Sequence, residues 1–316
     1  MVLQSIKSVF AIMTLILLGF YAAGKKWFGK PGMDFLSKFT VEATLPFYMF
    51  YNLYRDIGSR EALFALVLKL PVTFGLILMC IVLGAVVAAI FRVKEGRRYT
   101  FVVASGFSNV VFIGFPVIQA LWGENITSVG VIYYISSTLL FWTVGISLLQ
   151  RDGKKGSGGG FLANLKKILS PPIVGMICGI CAILLGVQVP DFIMKPLSMI
   201  AGVTSPLALI FIGSVIRNMD FKSLKFGRDL YLALTMRFVV LPVASALYLR
   251  MMPVPGEMKQ VFFMLSTMPA MTQMGIMSRQ LESDYEFACT VITATTIISI
   301  LTIPMFMYLM QTFSVF

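Results

Sequence analysis

The chain has 316 residues, of which 58% are hydrophobic and only 13% charged; its formal net charge is +12 and it contains no histidine. A soluble domain carries roughly a quarter charged residues, so these values exclude a soluble globular protein and indicate an integral membrane protein. The apolar runs are continuous rather than alternating over about ten residues, which selects spanning helices over a β-barrel.

Apolar segments follow one another near 5–25, 34–54, 62–91, 98–122, 126–149, 169–187, 191–216, 228–251, 258–280 and 285–312. The expected fold is therefore all-α, with ten transmembrane helices. The first run, about Ile6 to Ala23, lacks a small-residue cleavage site and reads as the first span rather than a signal peptide. The polar stretch "QRDGKKGSGGGFLANLKK", Gln150 to Lys167, divides the chain. It separates a first five-helix repeat over 1–150 from a second over 169–316, with a linker over 151–168.

Most of the 26 Lys and Arg lie in the connections that follow odd-numbered spans, such as Lys25 and Lys26, Arg92 to Arg98, Lys154 and Lys155, and Lys222 to Arg228. Basic residues in short connections face the cytoplasm. The linker is then cytoplasmic and both termini are outside. Charge dispersed between spans does not make a nucleic-acid surface, so no nucleic-acid partner is expected.

Five spans per half place the second half upside down relative to the first. Paired echoes support an inverted repeat. "LSKFTVEATLPF" (Leu36 to Phe47) is matched by "LSMIAGVTSPLA" (Leu197 to Ala208), and "KLPV" (Lys69 to Val72) by "VLPV" (Val240 to Val243). Ser136, Ser137 and Thr138 in the fifth span are matched by Thr293, Thr295 and Thr296 in the tenth.

The fourth span holds "GFSNVVFIGFPVIQALWG" (Gly106 to Gly123) and the ninth "MLSTMPAMTQMGIMSRQ" (Met264 to Gln280). A fixed offset sets Ser108 opposite Pro269, Gly114 opposite Gly275, and Gln119 opposite Gln280. Proline removes a backbone donor and clashes with the preceding turn, and glycine permits unusual dihedrals. Both spans are therefore expected to break, with Gly114, Pro116, Pro269 and Gly275 as the crossover backbone. Freed backbone groups must be buried in protein or line a wet cavity. Broken helices at matching places in inverted halves mark a transport site. Half-helix N-termini favour an anion such as a carboxylate, with Ser108, Asn109, Thr272 and Gln273 completing its hydrogen bonds.

Three ionisable residues fall inside spans: Glu42, Lys69 and Arg237. Such groups are costly there and are usually paired or functional. Lys69 can pair with Glu42, pair with a substrate carboxylate, or snorkel to the near interface. Glu42 is the candidate proton carrier, with an interfacial or capping role as the other reading. Arg237 is expected to anchor the eighth span against another helix or a carbonyl cluster. The cysteines Cys80, Cys178, Cys181 and Cys289 all lie in apolar spans and read as packing residues. No metal or cofactor is expected. The aspartates sit in or beside loops, so intramembrane hydrolysis lacks its acid pair and the protein is not expected to be an enzyme.

At these residues the chain resembles the auxin efflux carrier family, whose bacterial members are malate- or malonate-permease-like. The resemblance covers nearly the whole chain. It is carried most specifically by Phe107 to Glu124, Ser170 to Ile216, and Ser266 to Gln280, with Asn109, Gly114, Pro116 and Gly123 matching the fourth-span pattern. It implies a scaffold of spans 1, 2, 6 and 7 that is often a homodimer, and a transport domain of spans 3–5 and 8–10. It also implies elevator-type movement, substrate contact by Asn109 and the segment from Pro269 to Gln273, and residence in a bacterial cytoplasmic membrane. The related bile acid:sodium symporters share the architecture, so sodium as well as proton coupling stays open. The chain departs from the plant carriers in having Ala65 where an acidic residue precedes the third-span lysine, and in having Pro269 as the only proline around the ninth-span crossing.

Overall fold

The computed structural model describes residues 2–27, 29–153, 170–218 and 226–312. The expected linker from 154 onward lies outside the described residues, as do Lys154, Lys155, Lys222 and Lys225. Among the described residues the structure is helical, with one isolated β-bridge and no strand.

Each expected apolar segment is helical, and several are interrupted. The first is α1 (Val2–Gly24). The second is α2 (Lys30–Lys38), a π-helical stretch Phe39–Thr44, and α3 (Leu45–Ile57). The third is α4 (Arg60–Val67) and α5 (Leu70–Ile90). The fourth is α6 (Arg98–Gly106), a π-helical stretch Val110–Gly114, and α7 (Phe115–Trp122). The fifth is α8 (Thr127–Leu140), π-helical Phe141–Gly145, and α9 (Ile146–Asp152). The second half runs α10 (Pro171–Leu185) and α11 (Asp191–Asn218). It continues with α12 (Arg228–Thr235), π-helical Met236–Val240, and α13 (Leu241–Met251). It closes with α14 (Gly256–Thr267), α15 (Thr272–Gln280) and α16 (Tyr285–Thr312).

Five helical stretches among the described residues are long and apolar enough to cross a bilayer: Arg60–Ile90, Thr127–Asp152, Asp191–Asn218, Arg228–Met251 and Tyr285–Met310. Shorter apolar helices cover Phe10–Gly24, Val110–Trp122 and Pro171–Leu185. Many large side chains, including Phe10, Phe64, Leu68, Phe192, Met199 and Leu301, stay exposed. An exposed apolar surface of this extent needs lipid against it. The protein is a multi-pass integral membrane protein.

Proline accounts for three of the four π-helical stretches among the described residues; the helix after Phe141–Gly145 holds none. The π-helical stretches ending at Thr44, Gly114 and Val240 are each followed by a helix with proline in its first turn: Pro46, Pro116 and Pro242. A proline ring clashes with the carbonyl four residues before it and offers no N–H. A single wide turn absorbs the displaced carbonyl without ending the helix.

The chain divides into two compact units. One comprises Met1–Lys69, Val111–Ile132 and Ile168–Met219; the other comprises Leu70–Val110, Tyr133–Lys167 and Asp220–Phe316. In the first unit α1 meets α11 through small residues. A Cβ on Gly213 would strike the carbonyl of Ile16, and one on Gly19 would strike that of Ile210. Close backbone approach through small residues is how helices associate in lipid, where burial in water-free surroundings gives little hydrophobic drive. Gly175 of α10 lies as closely against the Pro46 carbonyl of α3.

The second unit is tied at its helix starts by ions. Arg97 Nε lies 2.7 Å from Asp284 Oδ2 and its Nη1 lies 3.4 Å from Asp229 Oδ2. The guanidinium also sits 4.6 Å from the Phe287 ring centre. Asp284 caps α16 by accepting from the Phe287 N–H at 3.0 Å. Asp152 accepts from both the backbone N–H (2.6 Å) and the hydroxyl (3.0 Å) of Thr100. Gly106 faces Ile81, and Gly84 faces Ser105, so the end of α6 seats directly on α5.

Candidate functional site

Both interrupted spans open within the second unit. On the ninth span the cause is local. Met268 precedes Pro269, and a residue before proline is driven out of the α region; Met268 is extended, at φ −60 and ψ 156. The fourth span opens just after Gly106, where Phe107 is extended at φ −116 and ψ 130. No proline lies there.

The two openings cross as a miniature antiparallel pair. Ser108 and Ala270 form the bridge. The Asn109 N–H donates to the Pro269 carbonyl at 2.8 Å, and the Met271 N–H donates to the Phe107 carbonyl at 3.1 Å. These are the two bonds that flank a non-hydrogen-bonded antiparallel pair. Each bridge residue leans on a hydroxyl of the span that follows it. Ser108 Oγ lies 3.2 Å from the Tyr133 hydroxyl of α8. The Ala270 N–H donates to Thr295 Oγ1 of α16 at 3.1 Å.

The carbonyls behind the crossing are taken by Arg237, whose side chain is 2% exposed. Its Nε donates to the Met268 carbonyl at 2.6 Å, its Nη1 to the Ser105 carbonyl at 2.9 Å, and its Nη2 to the Pro269 carbonyl at 3.4 Å. The expectation that Arg237 anchors the eighth span on a carbonyl cluster describes this arrangement. Burying a guanidinium is costly unless its donors are used, and a planar fork reaches several acceptors where an ammonium reaches one point. These three carbonyls are thus satisfied by protein, one of the two options that lipid allows.

Of the residues singled out in the sequence, the crossing brings together Ser108, Asn109 and Pro269, with Ser108 and Asn109 both buried. Thr272 and Gln273 follow two residues after the bridge, half-buried in the first turn of α15. The first N–H groups of a helix have no partner within it, and among the described residues no side chain caps this one. The other three crossover positions lie elsewhere. Gly114 has ordinary helical angles, φ −59 and ψ −55, and Pro116 sits in the first turn of α7, beyond the opening. Pro116 widens its helix instead of breaking it. Gly275 is buried inside α15 and faces Ile292 of α16.

Lys69 and Glu42 are not brought together. Lys69 occupies the turn between α4 and α5, half-exposed. Glu42 is exposed, and its carboxylate lies 3.8 Å from Lys38, one helical turn away. It lines a cavity of 560 Å³ with Pro46, Phe47, Phe50, Cys178 and Leu197. The pairing of Glu42 with Lys69 gives way to this local pair, because residues four apart on a helix face one another. Cys178 and Cys181 are free and exposed on α10, and only Cys80 is fully buried. Cys289 is half-buried on α16.

The sequence reading missed Tyr133, the Ser105 carbonyl, and a polar chain in the first unit. There Gln119 donates to Thr127 Oγ1 at 3.2 Å and accepts from Ser205 Oγ at 2.5 Å, with the Tyr48 hydroxyl 3.5 Å from Thr127. Its four members come from different spans, and only the hydroxyls and amides themselves, lying in apolar segments, signal it.

The profile of a family described as membrane transport protein matches residues 4–158 and 160–307. An uncharacterized transporter of Methanocaldococcus jannaschii is 25% identical over 308 residues, covering 94% of this chain and 96% of the relative. An uncharacterized transporter of Methanothermobacter thermautotrophicus is 22% identical over 311 residues, covering 95% and 97%. The uncharacterized transporter YfdV of Escherichia coli is 21% identical over 271 residues, covering 79% and 83%.

Proposed function

Because this chain belongs to the membrane transport protein family, that of the auxin efflux carriers, we propose that it is a secondary active transporter of a small organic anion, a carboxylate. The substrate is held where the fourth and ninth spans cross. The observation that carries this reading is the bridge between Ser108 and Ala270, set against a buried arginine. A broken span in each half, with the breaks meeting, is the arrangement on which substrate sites of inverted-repeat transporters are built. The guanidinium and the leading N–H groups of α15 both favour negative charge. Asn109, Ser108, Thr272 and Gln273 supply neutral hydrogen-bonding groups that orient a carboxylate without competing with its charge.

In this reading the ten helical segments form two inverted five-helix repeats. Transport proceeds by alternating access of the elevator type, with the crossing on the moving part and a homodimer as the working assembly. Both termini lie outside a bacterial cytoplasmic membrane. Glu42 and Lys69 are the ionisable groups through which proton coupling or support of the site acts.

The test is a thermal-shift screen of purified protein against mono- and dicarboxylates, repeated for Asn109→Ala. A carboxylate that stabilises the wild type but not the variant supports the site. An unchanged shift in the variant removes Asn109 from the contact set. Uptake of the same carboxylate into proteoliposomes, with and without a sodium gradient, distinguishes this transporter from a sodium-coupled symporter of the bile-acid type. Strict sodium dependence selects the latter.

A further inference from the structure

The C-terminal end of a helix carries unpaired carbonyls and partial negative charge. In transporters with broken spans such ends, together with unwound carbonyls, coordinate the coupling cation. Two such ends lie behind the crossing. The Ser105 carbonyl belongs to the last turn of α6, and the Met268 and Pro269 carbonyls trail from α14. All three accept from one guanidinium, at 2.9, 2.6 and 3.4 Å. Among the described residues no carboxylate pairs with Arg237, so carbonyl dipoles balance its charge. The Pro269 carbonyl also accepts from the Asn109 N–H. The arginine and the backbone of Asn109 therefore share an acceptor.

We propose that Arg237 is a positioning residue that serves as the resident cation of the crossing. Its guanidinium fills the carbonyl cage formed by the two helix ends and holds the bridge of Ser108 and Ala270 in register. It also supplies fixed positive charge behind the anion, so that no metal cation is needed in that cage. The inference rests on the transporter reading and deepens it.

The experiment uses the full chain as wild type, Arg237→Gly, Arg237→Gln and Arg237→Lys. Malonate serves as the anion probe, and sodium, potassium and low-millimolar guanidinium chloride as cation probes. Arg237→Gly is expected to melt at a lower temperature than wild type. Guanidinium should restore part of that loss while leaving wild type unchanged. Arg237→Gln should raise the apparent KM for malonate about tenfold or more with a smaller change in kcat, the pattern of lost binding rather than lost turnover. Arg237→Lys should fall between, because it keeps the charge but not the fork. Exchanging sodium for potassium should alter neither melting nor uptake by wild type.

Wild-type affinity in Arg237→Gln overturns the proposal. So does failure of guanidinium to raise the melting temperature of Arg237→Gly, or stabilisation of wild type by sodium over potassium. If Arg237→Gly does not fold, the Arg237→Gln and Arg237→Lys comparison carries the decision. If wild type takes up no carboxylate in any medium, the transporter reading fails, while the melting data still decide whether the guanidinium fills the cage.

Discussion

At the scale of single residues the crossing is an accounting of backbone groups. Ala270 would leave a buried N–H unpaired without Thr295, and Thr295 Oγ1 is the acceptor that α16 supplies. Thr295→Val keeps the shape of the side chain and removes the acceptor. It should cost about 1–3 kcal/mol, the penalty of one buried donor left unmade. Chemical denaturation of the purified variant checks this, and an unaltered midpoint would show that the bond contributes nothing net. Gly275→Ala tests the opposite expectation. The added Cβ meets the end of the flexible Ile292 side chain at 3.0 Å and Cys289 Sγ at an ordinary contact distance of 3.8 Å. A small change in stability is expected, because a rotamer shift relieves the contact. A loss as large as that of Thr295→Val would place Gly275 at a rigid contact after all.

At the scale of elements, close approach and ion pairing hold each unit together. Gly213→Val puts two methyl groups where α1 and α11 touch backbone to backbone, against the Ile16 carbonyl. Nothing flexible can yield there, so the variant should express poorly or lose several degrees of melting temperature. Normal melting would refute the close crossing. The Arg97 cluster is partly exposed, with 26% of the arginine side chain and 21% of Asp284 accessible. A double-mutant cycle between Arg97→Ala and Asp284→Asn should give coupling of about 0.5–1 kcal/mol, the range for pairs that water still reaches. The proline pattern belongs to this scale too. Pro46, Pro116 and Pro242 were visible in the sequence, but whether each one breaks or merely widens its helix was not. All three lie in the first turn of a helix that continues through a π-helical stretch. A wide turn costs less than an open end in lipid.

At the scale of the whole molecule, the distribution of Lys and Arg makes a prediction of orientation. In a background with Cys178 and Cys181 changed to serine, since both are exposed, cysteines are placed at Lys155 and Glu257. An impermeant maleimide applied to intact cells should label position 257 and reach position 155 only after permeabilisation. The reverse pattern would invert the topology. Function joins this scale through the family profile, which covers both halves of the chain. That coverage places the chain in a membrane-transport family, and the anion cargo proposed for it is what the carboxylate screen tests.

Much was legible before any fold was known. Continuous apolar runs, the dispersed basic loops and Pro269 are local signals, and local physics converts them directly. A run of about twenty apolar residues must be a helix in lipid because nothing else satisfies its backbone. The residue before Pro269 must leave that helix because the proline ring blocks it. The opening after Gly106, the hydroxyl of Tyr133, the local pairing of Glu42 with Lys38, and the three carbonyls on Arg237 were decided only by the tertiary structure. Ser105 and Arg237 are 132 residues apart in the chain, and Tyr133 lies 25 from Ser108. The energy of each contact depends on which distant group arrives to meet a stranded donor or acceptor, and no local pattern of residues carries that information.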